Sequence, residues 1–205
     1  LIPEKVERCL RETGFGFLFA PVFHPAMRYA VGPRREIGIR TIFNILGPLT
    51  NPAGAKRQIL GVFADKLTDI LAMVLGNLGA VDTMVVHGAD GLDEITISDG
   101  TRVSRCRDGK VETTYISPED FGLRRSEVKS LLGGDREENA RIMLSVLRGD
   151  KGPQRDIVLI NAAAALIVAG KTDDPKDAML IAADTVDSGT ASAKLQEIIS
   201  ISNSL

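Results

Sequence analysis

Tryptophan is absent from the 205 residues, and aromatic side chains make up only 4% of them. No row of rings is available on which successive bases of a nucleic acid would stack. A strong charge of either sign is missing too. Lys and Arg number 25 and Asp and Glu 27, a net charge of −2, with no basic tail or stripe. Nucleic acid and anionic membrane are therefore poor candidates for the main partner. Cysteine is nearly absent. Cys9 and Cys106 lie far apart and outside any metal-site spacing, which argues against a disulfide scaffold and for a reducing, cytoplasmic setting. No apolar run is long enough to span a bilayer. No GxxxxGK[ST] loop, no GxGxxG between a strand and a helix, and no HExxH occurs, so common nucleotide-binding and metalloprotease signatures are excluded. There is no internal repeat and no low-complexity linker.

What is present is a chain that is 44% apolar, enough for a substantial core. Its length suits one α/β domain over 1–205. Pro3 to Thr13 reads as a short helix with Val6, Cys9 and Leu10 on one side. Phe15, Phe17 and Phe19 alternate with Gly16 and Leu18, which predicts a buried strand. A helix is expected to open at Arg34 and run to a rigid Gly47-Pro48 end, with Ile39, Ile42, Phe43 and Leu46 facing inward. Glu36 and Arg40 are spaced to pair on its outer face. Gln58–Phe63 and Val81–Gly88 read as apolar strands with a helix between them, capped by Asp65. That order predicts a βαβ unit and a parallel pair. Ile95–Ser98, Arg102–Arg105 and Val111–Ile116 predict a small antiparallel meander near 95–116, turning at Asp99-Gly100 and Asp108-Gly109. Capped helices follow: a short one after Ser117-Pro118 and one to about Leu147 after Asp135. An alanine-rich helix over Asp156–Gly170 reads as buried, and a last helix from Asp174-Pro175 breaks near Ser188-Gly189. The fold class is α/β, a mostly parallel central sheet flanked by helices.

Three stretches hold residues suited to chemistry. In VVHGADGLDE, Val85 to Glu94, a strand ends, glycines permit tight turns and Asp93 and Glu94 follow. Ligands of open α/β sheets bind beyond the carboxyl ends of strands, and Mg2+ takes carboxylate oxygens while bridging to phosphates. Neighbours on a regular strand point to opposite faces. Asp93 and Glu94 therefore serve one metal only if the chain bends there. The plain alternative is a solvated acidic turn. His24, in FHPAM, suits substrate hydrogen bonding or base work, or the satisfaction of a nearby carbonyl; His87 has a weaker claim. Arg34 has the forked geometry that clamps carboxylate or phosphate, helped by a helix N-terminus, or else belongs to a basic turn. Gly133-Gly134-Asp135 tempts toward a phosphate loop, but Asp135 serves better as a helix cap.

Taken together, HPAM, RTIFNILGPLTNP, HGADGLDE, GGDREENA and DIVLINAAAAL resemble the anthranilate phosphoribosyltransferases. These are the tryptophan-pathway branch of a glycosyltransferase family that also holds pyrimidine nucleoside phosphorylases. The resemblance covers nearly the whole chain. It implies transfer of ribose 5-phosphate from phosphoribosyl pyrophosphate to the amine of anthranilate, with Mg2+ as cofactor. Carried over by motif, Arg34 pairs with the anthranilate carboxylate. His24, Gly47 and Pro48 line the anthranilate path, with Pro21 and Met27 as further wall candidates. Asp93 and Glu94 hold the metal against the pyrophosphate.

The family's N-terminal helical domain, its GTGGD loop and the Lys-His-Asn segment after it have no counterpart in these 205 residues, and the first residue is Leu. The expectation is a later part of a longer chain, with little activity alone and with the homodimer usual in the family in question. Two rivals are a pyrimidine nucleoside phosphorylase and a non-catalytic, nucleic-acid-binding relative. The first predicts phosphorolysis of nucleosides; the second predicts a basic groove, against which the net charge speaks.

Overall fold

Strand β2 (Asp82–Gly88) is buried along almost its whole length, which is why its sequence reads as an unbroken apolar run rather than an alternation. In the computed structural model, which describes residues 1–25, 28–39 and 45–205, β2 lies between β1 (Arg57–Gly61) and β3 (Thr101–Arg107), and β4 (Lys110–Ile116) closes the order β1-β2-β3-β4. β1 pairs with β2 in parallel, Ile59 opposite Met84. Helix α5 (Thr68–Asn77), entered through a 3-10 turn at Asp65–Leu67, makes the connection. The βαβ unit is therefore present. The sheet is mixed rather than mostly parallel, because two of the three strands expected in the meander form, as β3 and β4, and add two antiparallel pairings to the one parallel pair. Their hairpin turns on Asp108 and Gly109, both at positive φ, the pairing of left-handed residues that suits a two-residue turn.

The described residues form two compact units, Leu1–Gly54 with Ser192–Leu205, and Ala55–Ala191. In the second unit α5 packs on β2, β3 and β4, and helix α7 (Pro153–Val168) packs against β1, β2 and helix α8 (Pro175–Asp187). Alternation along β2 sends Met84 and Val86 into a core with Ile95, Ile97, Val103, Ile160, Ala163, Ala164 and Ile167, while Val85 faces the other way. The alanines let α7 lie close to the sheet, in keeping with its nearly all-apolar sequence. Three of the expected caps stand, but Asp65 does not cap α5: it is the first residue of the 3-10 turn, and its carboxylate accepts from the adjacent Lys66 N–H instead of closing a helix start. Asp135 accepts from the Glu138 N–H at 2.8 Å at the start of α6 (Arg136–Leu147). Asp174 accepts from Lys176 and Asp177 ahead of α8, and Ser117 with Asp120 closes a capping box over Pro118–Phe121.

One carboxylate is buried at the head of β2. Asp82, 1% exposed, takes a two-pronged contact from Arg105 at 2.9 and 2.6 Å, with Arg57 and Arg107 at 3.7 and 3.8 Å. The Asp82 bond pushes the Arg105 guanidinium above its ordinary value against the opposing effect of burial.

The first unit departs from the sequence reading at two places. Phe15–Phe19 is not a strand. The chain leaves α1 (Pro3–Thr13) through Gly14 at φ 76, and Thr13 Oγ1 accepts from the Phe15 N–H. The three phenylalanines stay about half exposed or more, Phe17 and Phe19 stacked at 6.3 Å. Their alternation is apolar with apolar, so it specifies no polar face, and no sheet among the described residues of this unit takes up the segment. The helix expected from Arg34 to Gly47 is also different. Helix α3 is Arg28–Ile37 with Pro33 inside it, and Gly38 at φ 66 follows, a left-handed residue that closes a helix. Ile39 is 69% exposed rather than inward. Arg40, Ile42 and Phe43 lie outside the described residues. Leu46–Leu49 forms its own helical turn, α4, so Gly47-Pro48 sits within a helix instead of ending one. Helix α2 (Ala20–Phe23) and helix α9 (Thr190–Ser204) complete the described α-helices.

Candidate functional site

The carboxyl end of β2 carries the feature with most chemical promise. At Gly88 the chain turns sharply: the Gly88 N–H donates to Leu92 O at 2.8 Å, the Gly91 N–H to Gly88 O at 2.9 Å, and Gly91 stands at φ 95. The Ala89 N–H reaches Gly100 O at 2.8 Å and ties the two ends of the loop together. Residues 95–98, expected as a strand, are not one. Side chains rather than a neighbouring strand take up much of their backbone. Thr101 Oγ1 accepts from Thr96 N–H, Thr96 Oγ1 from Ser98 N–H, and Ile97 O accepts from Ser126 N–H.

Asp90 is the staple of this loop. Its carboxylate accepts from the Thr96 and Ser98 hydroxyls and from the Leu92 N–H. Burial works to raise its pKa, but the bonds from Ser98, Thr96 and Leu92 outweigh it and hold the group below the ordinary aspartate value. The loop is seated against β1 and tied to α7. A Cβ placed on Gly61 would stand 1.5 Å from Asp93 O, so the acidic bend lies directly on the end of β1. Behind it, Asn161 of α7 accepts from the Ile95 N–H at 3.0 Å and donates to Ile95 O at 2.8 Å and Ile157 O at 3.0 Å. Ile95 and Ile97 are 1% and 0% exposed and anchor the segment in the core.

Asp93 and Glu94 thus fall on a bend, not on a regular strand, which meets the condition set by the sequence for both to serve one ion. Both are exposed, and neither pairs with a cation among the described residues. Glu94 is pushed above the usual glutamate value, first by burial and then by the charges of Asp93 and Asp90. An uncompensated cluster of negative charge of this kind is relieved by a divalent cation. No group of three or more His, Cys, Asp or Glu among the described residues forms a full cage.

The other candidates belong to the first unit. His24 follows α2, its N–H bonded to Ala20 O at 2.8 Å. Pro21 lies within α2 and is exposed. Gly47 and Pro48 are in α4, and a Cβ on Gly47 would meet nothing within 4 Å among the described residues. Met27 lies outside the described residues. Arg34 is the seventh of ten residues in α3, and the helix N-terminus expected to reinforce it is instead at Arg28. His87, the weaker histidine, has a structural role: its Nδ1 bonds Val62 O at 2.7 Å.

Sequence reasoning missed three contributors, namely Asp90, Gly61 and Asn161. Two of them carried a signal. Gly61 interrupts an apolar strand, which marks close backbone approach, and Asn161 is the one amide in the otherwise apolar run Ile157–Val168, where a polar group taken out of water needs partners.

Residues 1–192 match the description "Glycosyl transferase family, a/b domain". The chain belongs to this family. It is 55% identical over 196 residues to an anthranilate phosphoribosyltransferase of Syntrophotalea carbinolica, a match covering 96% of this chain and 56% of that protein. Against the enzyme of the same name from Moorella thermoacetica it is 53% identical over 199 residues, 97% of this chain and 59% of the relative. The fold is similar to the crystal structure of anthranilate phosphoribosyltransferase from Thermus thermophilus, with a TM-score of 0.92 and 42% identity over 98% of this chain and 60% of that one. A Saccharomyces cerevisiae anthranilate phosphoribosyltransferase in complex with PRPP and Mg has a TM-score of 0.92 and 30% identity, over 100% of this chain and 59% of that one. The chain thus spans less than two thirds of the length of these family members. No helix among the described residues is long and apolar enough to cross a membrane.

Proposed function

We propose that this chain contributes to the transfer of the 5-phosphoribosyl group from phosphoribosyl pyrophosphate to anthranilate, with release of pyrophosphate. The observation that carries the reading is the acidic bend at Asp93 and Glu94, unpaired among the described residues and set beyond the carboxyl end of a parallel β-strand, in a chain about half identical to enzymes of that name. In the reaction the bond from C1 to the pyrophosphate oxygen breaks, a bond from C1 to the amine nitrogen forms, and the amine loses a proton. Negative charge grows on the leaving group.

Mg2+, when bound, supplies the neutralisation of that charge. Asp93 and Glu94 are the residues that hold it. Their bend is fixed by Asp90, Gly61 and Asn161, so little reorganisation is required when the ion arrives. On the acceptor side Arg34 takes the anthranilate carboxylate, with His24, Gly47, Pro48, Pro21 and Met27 around the ring's path. An aromatic amine is a weak nucleophile that needs placing more than deprotonation, so orientation through Arg34 is a main contribution. Exclusion of water protects the donor from hydrolysis.

The test is kinetic, in the whole protein that carries this chain. Arg34→Ala is expected to raise the KM for anthranilate about tenfold or more and to leave the KM for phosphoribosyl pyrophosphate nearly unchanged. Asp93→Asn is expected to do the reverse, weakening the Mg2+-dependent use of the donor. An unchanged anthranilate KM in the first variant removes the clamp, and wild-type metal dependence in the second removes the metal role. No transfer to anthranilate by the unmutated protein refutes the whole reading.

A further inference from the structure

The amide of Asn161 is spent almost entirely on one neighbouring residue. It accepts from the Ile95 N–H and donates to Ile95 O, with a further bond to Ile157 O one turn back in its own helix. Ile95 directly follows Glu94. An amide that both accepts from and donates to the backbone of a single residue fixes that residue's position and the orientation of its peptide planes. Here it fixes the peptide from which the Glu94 side chain departs. From the front, the backbone of Asp93 is seated on Gly61, where no Cβ fits. The two acids therefore stand on three consecutive residues pinned at both ends, Asp93 by contact with β1 and Ile95 by α7.

We infer that Asn161 is a positioning residue, the clamp that holds Asp93 and Glu94 in register for a divalent cation. It touches neither the ion nor the substrate; it acts through the backbone of Ile95. The inference rests on the metal reading given above. Helix α7 owes its place to the core residues Leu159, Ile160, Ala163 and Ile167, all at most 4% exposed. Its packing does not need the amide, so the polar group is explained by the loop it holds rather than by the helix.

The experiment measures Mn2+ affinity by electron paramagnetic resonance in the whole protein, with inorganic pyrophosphate present, at a temperature where circular dichroism shows every variant folded. Asn161→Ala is expected to weaken Mn2+ binding about tenfold, the size common for residues that orient metal ligands, and to speed hydrogen exchange at the Ile95 amide. Ile167→Ala, in the same helix and the same core, removes comparable or greater stability while leaving the Asn161 bonds to Ile95 in place, and is expected to leave Mn2+ affinity within about twofold. Asn161→Ser is the second variant should the alanine chain fail to fold. Its hydroxyl keeps the bond to Ile157 O but is too short to reach Ile95, so the same loss of Mn2+ affinity is expected. Equal shifts in Asn161→Ala and Ile167→Ala would show a merely structural role and overturn the inference, as would unchanged binding in Asn161→Ala. Asp93→Asn separates the two levels. Weakened binding there with normal binding in the Asn161 variants refutes the clamp alone, and normal binding in Asp93→Asn refutes the metal reading and the clamp's purpose with it.

Discussion

Adding one methyl group to Gly61 is the sharpest test of how the acidic bend is held. The new Cβ would stand 1.5 Å from Asp93 O and 2.6 Å from its carbonyl carbon. Ordinary carbon–oxygen contact is about 3.3 Å, so one backbone must retreat by roughly 2 Å. Both are fixed. β1 is bonded along its length to β2, and the bend is held by Asp90, by Asn161 and by the buried Ile95 and Ile97. Overpacking a well-filled site costs about 1–3 kcal/mol. Losing one or two of the loop's hydrogen bonds adds about 1 kcal/mol each. Gly61→Ala is therefore expected to lower stability by about 3 kcal/mol, roughly 10 °C in Tm for a unit of this size, unless the loop alone gives way. Two measurements separate these outcomes. Urea denaturation reads the global loss, and hydrogen exchange over residues 88–98 reads the local one. In either case Mn2+ affinity should fall, since the acids move with the backbone. A variant with wild-type stability, wild-type exchange in the loop and wild-type Mn2+ binding would show that the bend does not rest on β1 and would refute the reasoning.

Two further outcomes are expected. Asp82→Asn leaves Arg105 facing a neutral amide at the head of the central strand. Breaking a buried pair costs about 3–5 kcal/mol, reduced here to about 2–3 because Arg105 is 24% exposed and keeps Asp173 at 3.7 Å; urea denaturation that shows no loss would contradict this. Metal binding should also depend on pH through Glu94. Its folded pKa is raised by burial, Asp93 and Asp90, so it takes up a proton at higher pH than a free glutamate, and Mn2+ affinity should decline as pH falls through that raised value. The charge on Glu94 correspondingly disfavours the folded loop above that value and ceases to do so below it. Asp90→Asn removes one of the raising charges, so the midpoint of the decline, read by Mn2+ titration across pH, should move down; a midpoint that stays or rises would exclude the electrostatic account.

Much of the second unit is legible in the sequence, because its signals are local and mutually consistent. β1, α5 and β2 follow from apolar runs of strand length separated by a helix. The hairpin follows from Asp108-Gly109, and the later helices follow from Asp135, Asp174 and Pro175. The first unit is less legible. Phe15, Phe17 and Phe19 have strand spacing but no polar partner face, and spacing without contrast does not say which side is buried. The helix before Gly47 has other limits than its apolar stripe implies, because Gly38, just ahead of that stripe, stands at positive φ and closes the helix at Ile37. A period alone, without contrast or without regard to the residue just ahead of it, misplaces both segments.

The acidic bend shows a different limit. The sequence placed Asp93 and Glu94 beyond a strand and stated what they required, a chain that bends. It could not supply the bend, because the residues that make it lie elsewhere: Gly61 sits 32 positions upstream of Asp93 and Asn161 66 positions after Ile95. Motif spacing registers only neighbours in the chain. The contacts that fix the backbone of the two acids are neighbours in space, and they leave a trace only as residues out of keeping with their element, a glycine inside a strand and an amide inside an apolar helix. Such misfits are expected where local preference has yielded to a site. A chain of the same family that carries alanine at the position of Gly61 and an apolar residue at that of Asn161 should therefore hold its two acids in a different bend.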